Sequence, residues 1–250
     1  NTASCRVIRN LTIGCLPPAS VQCSNIIPPC PGTLTQFIAL GGIVSDSNVN
    51  YTCTDGPFVG SLCGGTLTRT HRIVDFCTNS ASCTQTITVL DTIAPVLVGV
   101  PTNVTVQCLA NVPAPANVTA TDNCDTNPVV TFSAVTNGVC PTTITRTWTA
   151  IDRCTNSASA SQVITVRDTT PPVLSGVPVA TTVQCLANLP APASVTATDN
   201  CDTNPIVTFS AVTNGACPAI VTRTWVARDF CNNMETNSQS ITVLDTTPPV

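Results

Sequence analysis

The sequence has no lysine and few charged side chains of any kind. Nine arginines stand against twelve aspartates and one glutamate, Glu235, which gives a net charge of −4. Binding of nucleic acid requires a basic face, so this balance argues against nucleic acid as a partner. Threonine, serine and asparagine are abundant instead, and we expect these polar side chains to face the solvent.

The motifs that usually mark a catalytic or zinc site are missing. No C-x-x-C pair occurs and His71 is the only histidine, so the usual ligand spacing of structural zinc is absent. The sequence also lacks a paired-acid motif, a Gly-rich phosphate loop and a nucleophile motif that could accompany His71. We therefore expect a protein that is not an enzyme, and we interpret His71 as a partly buried core or edge residue in place of an aromatic side chain.

Long apolar runs and helical periodicity are absent as well. The run from Phe37 to Val44 is short and is broken by Gly41 and Gly42, whereas a membrane span needs ~18 apolar residues. We expect no membrane span in this segment. No signal peptide is visible, which suggests a mature or partial chain.

What the sequence does have is repetition with a period of 77 residues. The segment 91–96 returns with small changes at 168–173 and 245–250, and residues 105–111 are identical to 182–188. A fixed period indicates one structural unit copied in tandem. We predict a divergent domain over residues 1–90, repeats over 91–167 and 168–244, and the opening strand of a further repeat over 245–250.

Each repeat has the pattern of β-strands separated by turns. Along residues 143–151, one side carries Ile144, Arg146, Trp148 and Ala150, and the other carries threonines and Ile151. Residues 129–132 and 163–166 are rich in β-branched side chains, and clusters of Asn, Asp, Gly and Pro separate such runs. Several short strands at this spacing predict an all-β, two-sheet sandwich.

The joint between repeats is short and rich in proline. In Asp-Thr-Thr-Pro-Pro-Val, at residues 168–173, proline fixes φ and biases the preceding residue toward extended geometry. Gly-Ser flexibility is absent. We expect end-to-end domains that form a stiff rod.

Sixteen cysteines, an even number, predict disulfides and an oxidising compartment. Each domain is small, so burial of apolar surface gives only marginal stability and covalent cross-links are expected. The two full repeats carry four cysteines each at equivalent positions: Cys108, Cys124, Cys140 and Cys154, then Cys185, Cys201, Cys217 and Cys231. Four cysteines allow three connectivities.

Several motifs resemble those of hyalin-repeat (HYR-like) immunoglobulin-type domains. They are residues 120–124 (Ala-Thr-Asp-Asn-Cys), 145–148 (Thr-Arg-Thr-Trp), 152–154 (Asp-Arg-Cys) and 168–173. The resemblance covers residues 10–250 and implies tandem Ig-like β-sandwich domains in a linear array, as in extracellular surface and filament proteins. It also implies that the loops of Cys124 and Cys154 lie at the same end of the sandwich, and it supplies no catalytic residues.

Strand direction places the cysteines at the two ends of each sandwich. Antiparallel strands put alternate loops at opposite ends, so we expect Cys124 and Cys154 at an upper end and Cys108 and Cys140 at a lower end. One disulfide at each end of each repeat gives the predicted links Cys108–Cys140, Cys124–Cys154, Cys185–Cys217 and Cys201–Cys231.

The divergent first domain has eight cysteines and a longer middle segment than the repeats. Two occupy the lower-end positions, and two lie in the extended middle. Two more lie in the opening and closing strands, where the resemblance implies a disulfide. The predicted links are Cys23–Cys63, Cys30–Cys53 and Cys15–Cys83, which leaves Cys5–Cys77. Alternatively, Cys5 belongs to a preceding domain, because residues 1–5 resemble residues 79–83.

Two kinds of ligand site are candidates. Calcium takes six to eight oxygen ligands, and carboxylates crowd the upper end of the second segment at Asp91, Asp122, Asp125 and Asp152. The alternative is that these aspartates form turns by accepting hydrogen bonds from nearby backbone amides. Sequons for glycosylation occur at Asn10, Asn50, Asn103 and Asn117. Calcium is thus the one candidate cofactor.

The leading functional hypothesis is a structural component of an extracellular filament or cell-surface appendage, built as a stiff rod. The alternative is the stalk of a cell-surface adhesin that presents a distant binding domain. Residues 245–250 begin a repeat that does not continue, which suggests a longer polypeptide or donation of a strand to a neighbouring subunit. The expected partners are therefore other copies or neighbouring domains of a longer chain, and glycans are further candidates.

Overall fold

The computed structural model describes residues 10–61 and 63–247. These residues form β-strands, three 3₁₀ turns and one short helix. They separate into two compact units. The first holds the chain up to Gly99 together with Asn117–Phe132 and Trp148–Ala160, and the second holds the rest. Among the described residues, no helix is long and apolar enough to cross a membrane.

The first domain contributes seven strands and the helix to the first unit. They are β1 (Ile13–Gly14), β2 (Ala19–Val21), α1 (Leu34–Ala39), β3 (Ile43–Val44), β4 (Asn50–Asp55), β5 (Val59–Ser61), β6 (Gly64–Val74) and β7 (Ser80–Val89). One sheet has the order β2-β7-β6-β4, with β5 also paired to β6, and β1 pairs with β3. Strand β2 is parallel to β7, and the other pairs are antiparallel.

The second segment contains six strands. They are β8 (Val96–Val98), β9 (Val104–Val106), β10 (Thr119–Thr121), β11 (Val129–Asn137), β12 (Thr142–Ile151) and β13 (Ser157–Val166). Strands β8 and β10 pair in the first unit, whereas β9 pairs in parallel with the end of β13 in the second unit. The larger sheet has the order β11-β12-β13-β9.

The third segment repeats this arrangement within the second unit. Its strands are β14 (Val173–Ser175), β15 (Thr181–Val183), β16 (Thr196–Thr198), β17 (Ile206–Asn214), β18 (Ala219–Arg228) and β19 (Met234–Val243). Strand β14 pairs with β16, and the larger sheet has the order β15-β19-β18-β17. The chain is therefore all-β, with paired sheets in each segment, as the strand pattern predicted.

The long strands bury alternate side chains, as expected for a sheet with one face toward a core. On β18, Val221, Trp225 and Ala227 are buried, and Ile241 of β19 joins them. Trp225 lies opposite Phe209 of β17, and their ring centroids are 5.2 Å apart.

His71 lies in the core of the first domain, the first of the two positions expected from the sequence, and it is more buried than expected. It is fully buried on β6, and its ring centroid lies 4.8 Å from that of Phe37 on α1. The hydroxyl of Tyr51 hydrogen-bonds His71 Nδ1 at 2.7 Å. Burial lowers the pKa of His71, so the imidazole is neutral and serves as a packed ring.

Candidate functional site at the repeat junctions

The joints between segments are held by a glutamine of the preceding segment. The main-chain N–H of Thr92 donates to Gln22 Oε1 at 3.0 Å, and that of Thr169 donates to Gln107 Oε1 at 3.0 Å. Sequence reasoning missed these glutamines, although each precedes a lower-end cysteine in a repeated Val-Gln-Cys motif. Their bonds fix the start of each joint against the segment before it.

Asx turns present the upper-end cysteines. In one loop, Asp122 Oδ1 accepts from the N–H of Cys124 at 2.8 Å. In the other, Asp152 Oδ1 accepts from the N–H groups of Cys154 at 2.7 Å and of Asn156 at 2.8 Å. Short side-chain-to-backbone bonds of this kind make compact turns and hold the cysteine in one orientation.

Two disulfides cross each junction. Cys23–Cys124 and Cys63–Cys154 join the first domain to the second segment, with Cα–Cα distances of 5.4 and 5.0 Å. Cys108–Cys201 and Cys140–Cys231 join the second segment to the third, with Cα–Cα distances of 5.1 and 5.4 Å. Both distance pairs lie within the normal disulfide range. Lower-end cysteines of one segment thus bond upper-end cysteines of the next.

The predicted pairing within repeats is therefore wrong. The structure does not contain the links Cys23–Cys63, Cys108–Cys140, Cys124–Cys154, Cys185–Cys217 or Cys201–Cys231 among its described residues. Cys185 and Cys217 are free thiols. The error lay in the choice of partner: a short joint brings the lower loops of one segment against the upper loops of the next, where facing cysteines meet.

The other first-domain links agree with the sequence expectation where they can be compared. Cys15–Cys83 and Cys30–Cys53 are present, with Cα–Cα distances of 5.6 and 5.8 Å. Cys77 is disulfide-bonded. The predicted Cys5–Cys77 pairing involves Cys5, which lies outside the described residues.

A family model of an HYR-like domain with 4 cysteines matches the sequence twice, at residues 96–166 and 174–243. The two matches together cover more than half of the chain. The chain belongs to this family. The four cysteines of each HYR-like repeat are therefore a feature of the family. The structure shows which cysteines of one repeat form disulfides with those of the next.

The other comparisons concern whole chains. No curated protein matches the sequence. Among solved structures, protocadherin gammaB7 EC3-6 has 14% identity and a TM-score of 0.32, covering 93% of this chain and 73% of that chain. Drosophila N-cadherin EC1-4 has 13% identity and a TM-score of 0.31, with coverages of 90% and 72%. Mouse cadherin-23 EC22-24 has 14% identity and a TM-score of 0.33, with coverages of 94% and 98%. These similarities are too low to carry an argument about function.

A buried arginine anchors the proline-rich loop in both HYR-like repeats and in the first domain. Arg146 Nη2 donates to the carbonyl of Pro113 at 2.7 Å, and Arg223 Nη2 donates to that of Pro190. In the first domain, Arg69 donates to the Pro28 carbonyl at 2.6 Å and also pairs with Asp55. The arginines therefore supply hydrogen-bond donors to main-chain carbonyls of the proline-rich loops.

The aspartates predicted as calcium ligands do come together at the first junction. Asp91, Asp125 and Asp152 are buried, and a carboxylate oxygen of Asp91 lies within 4.8 Å of ligand atoms of both Asp122 and Asp152. Asp91 Oδ2 and Asp122 Oδ2 are buried without a hydrogen-bond partner. Burial, and then the charges of the neighbouring aspartates, raise the pKa of Asp91.

The donor set supplies only part of a calcium shell. Most of these carboxylate oxygens already accept backbone N–H bonds, as expected from the turn-forming alternative. Two oxygens remain, against the six to eight that calcium takes. Calcium at this cluster stays a prediction.

Replacing Asp91 with asparagine tests whether the charge of this buried carboxylate destabilises the folded protein. The introduced side-chain amide can keep the bond to the Ile93 N–H and donate to Asp122 Oδ2, so we expect the free energy of unfolding at pH 7 to rise by about 1 kcal/mol. The folded-state pKa of Asp91 is raised above 3.8, so the stability from its neutral form is complete below that pH and lost as pH rises through the folded pKa. The gain should therefore vanish near ~pH 3.

Chemical denaturation at both pH values measures this effect. Asp245→Asn is the matched control, because Asp245 holds the equivalent joint position with an exposed carboxyl, and it should bring no gain. Calcium that stabilises the unaltered protein, with the effect lost in Asp91→Asn, would support the metal site and contradict the view that the Asp91 charge only destabilises the fold.

The four predicted glycosylation sites, Asn10, Asn50, Asn103 and Asn117, are all exposed. The Oδ1 of Asn103 accepts from the N–H of Val163 at 2.8 Å. Exposure gives a glycosylating enzyme access, and glycosylation itself stays a prediction.

Proposed function

We propose that this chain is a load-bearing segment of an extracellular filament or cell-surface appendage. The observation that carries the proposal is the pair of disulfides across each junction. An adhesive or enzymatic surface would not need neighbouring repeats to be cross-linked twice, whereas a fibre under tension benefits directly. Stable disulfides also favour an oxidising, extracellular location.

The disulfides shorten the covalent path along the chain. Between Cys23 and Cys231 the backbone runs for about 208 residues, which would span about 700 Å when fully extended. A path through Cys124 and Cys140 crosses two disulfides and only about 16 residues, or about 60 Å. Unfolding of a repeat therefore cannot lengthen the path between Cys23 and Cys231 beyond about 60 Å, because the disulfides then take the load.

The joints support the same role. Each described joint is anchored by a Gln–Thr bond, and the proline-rich loop of each described segment is anchored by a buried arginine. These contacts keep the segments folded at low force, and the disulfides limit extension at high force. The stalk of an adhesin would use the same properties, and electron microscopy of native material separates continuous fibres from short projections.

Single-molecule force spectroscopy tests the load-bearing role. The oxidised chain, held at its two ends, should lengthen between Cys23 and Cys231 to no more than about 60 Å plus the disulfides themselves. The same molecules under reducing conditions should lengthen by several hundred ångströms. Stepwise extension of the oxidised chain by the length of a whole repeat would refute the proposal.

A further inference from the structure

The third segment carries two cysteines that its own residues do not use. Cys185 and Cys217 are exposed thiols, and they stand 77 residues after Cys108 and Cys140. Their counterparts in the second segment both bond the segment that follows. At each described junction, the cysteines at these two positions therefore bond upper-end cysteines of the next repeat.

The surroundings of these thiols match those of their bonded counterparts. Cys185 lies between β15 and a 3₁₀ turn, Leu186–Asn188, just as Cys108 precedes the turn Leu109–Asn111. The N–H of Thr246 donates to Gln184 Oε1 at 3.0 Å, repeating the bond that anchors Thr169. The lower end of the third segment thus already has the local geometry of a junction.

We propose that Cys185 and Cys217 attach a further four-cysteine repeat through two disulfides, made with the cysteines of its Asp-Asn-Cys-Asp and Asp-x-Cys loops. This inference rests on the proposed function as a disulfide-locked array. It names the partner by its chemistry: two cysteines, each held by an Asx turn, spaced like Cys124 and Cys154.

A second copy of this chain does not supply that partner through its first domain. The first domain has no counterpart of Cys124, and Cys77, which stands where the second segment has Cys154, is already in a disulfide. A four-cysteine HYR-like repeat offers both partners at once. The occupant is therefore a repeat of the same kind as the third segment.

The chemistry is oxidation of two thiol pairs. Each new Sγ–Sγ bond releases two protons and two electrons, and these pass to a disulfide oxidant, either a low-molecular-weight disulfide or the active-site disulfide of an oxidoreductase. The oxidant is reduced to two thiols for each bond formed. No other co-reactant is required.

The test extends the complete chain by one repeat. Residues 245–250 have the same sequence as 168–173, so a copy of residues 174–250 placed after Val250 makes a fourth repeat without a new joint. After oxidative folding with a glutathione buffer, non-reducing peptide mapping should find Cys185 bonded to the copied Cys201 and Cys217 bonded to the copied Cys231. The original Cys108–Cys201 and Cys140–Cys231 links in the same digest report correct folding.

Two variants keep the outcome decisive. Cys185→Ala with Cys217→Ala should leave all four thiols of the fourth repeat open to alkylation, whereas only its copied Cys185 and Cys217 stay open when the two links form. Cys217→Ala with the copied Cys231→Ala should still give the Cys185 link. A Cys185–Cys217 bond in the extended chain, with the two original junctions intact, would overturn this inference and leave the load-bearing proposal standing.

Discussion

Replacing Cys140 and Cys231 together with alanine should lower the free energy of unfolding by about 2–4 kcal/mol. The bond closes a loop with a sequence separation of 91 residues, and long loops lose the most chain entropy on cross-linking. The loss is smaller than for an isolated cross-link because Cys108–Cys201 still restrains the unfolded chain at the same junction. Guanidinium denaturation under non-reducing conditions, followed by circular dichroism, measures the change.

Cys185→Ala with Cys217→Ala is the matched control for this experiment. It also removes two cysteines from the lower end of a segment, but both are free thiols in the structure. Stability should stay within about 0.5 kcal/mol of the unaltered protein. An equal loss in both double variants would mean that Cys185 and Cys217 are bonded to each other, contrary to the structure.

Replacing Trp225 with alanine should cost about 3–5 kcal/mol of stability, because a large buried aromatic is removed and a cavity remains. Trp225 is only 1% exposed and packs against Phe209 across the strand pair. The third segment should unfold at lower denaturant concentration, and fluorescence of Trp148 can report separately on the second segment. In one denaturation series, circular dichroism follows the unfolding of all segments and the fluorescence of Trp148 follows the second segment.

A matched substitution at an exposed position of the same strand tests whether the stability loss in Trp225→Ala comes from lost packing in the core. Ile220 also lies on β18, but it is 46% exposed, so Ile220→Ala should change stability by less than about 1 kcal/mol. A loss as large as that of Trp225→Ala would contradict the assignment of the buried and exposed faces of β18.

The strands and the buried faces could be predicted because their causes are local. Alternation along β12 placed Arg146, Trp148 and Ala150 on one face, and all three are buried. Proline and β-branched side chains act on the backbone within a few residues, so their effects can be deduced from short segments. The fixed period then transferred the same reasoning to the third segment.

The disulfide partners could not be predicted by the same means. Strand direction places a cysteine at one end of a sandwich, but it does not tell whether the cysteine meets a neighbour in its own repeat or in the next. One signal in the sequence did favour the next repeat. The first domain keeps both lower-end cysteines, Cys23 and Cys63, but has no counterpart of Cys124, so it cannot form the upper-end link predicted for the repeats. The pair that every segment keeps is the one that bonds the next segment in the structure.

The arrangement of the acidic cluster was partly predictable. Asx turns explain why Asp122 and Asp152 sit beside Cys124 and Cys154, since short side chains bond nearby amides. The burial of Asp91 depends on the approach of the neighbouring loops, which follows from the disulfides across the junction. Because the disulfide partners were predicted wrongly, the burial of Asp91 could not be predicted from the sequence.

Non-reducing peptide mapping tests the central claim most directly. With thiols blocked at acidic pH, cleavage before aspartate separates the four relevant cysteines into peptides 91–121, 125–151, 199–201 and 229–244. We predict that 91–121 is linked to 199–201 through Cys108–Cys201, and 125–151 to 229–244 through Cys140–Cys231. A link between 91–121 and 125–151, which requires a Cys108–Cys140 bond, would contradict disulfide locking of neighbouring repeats.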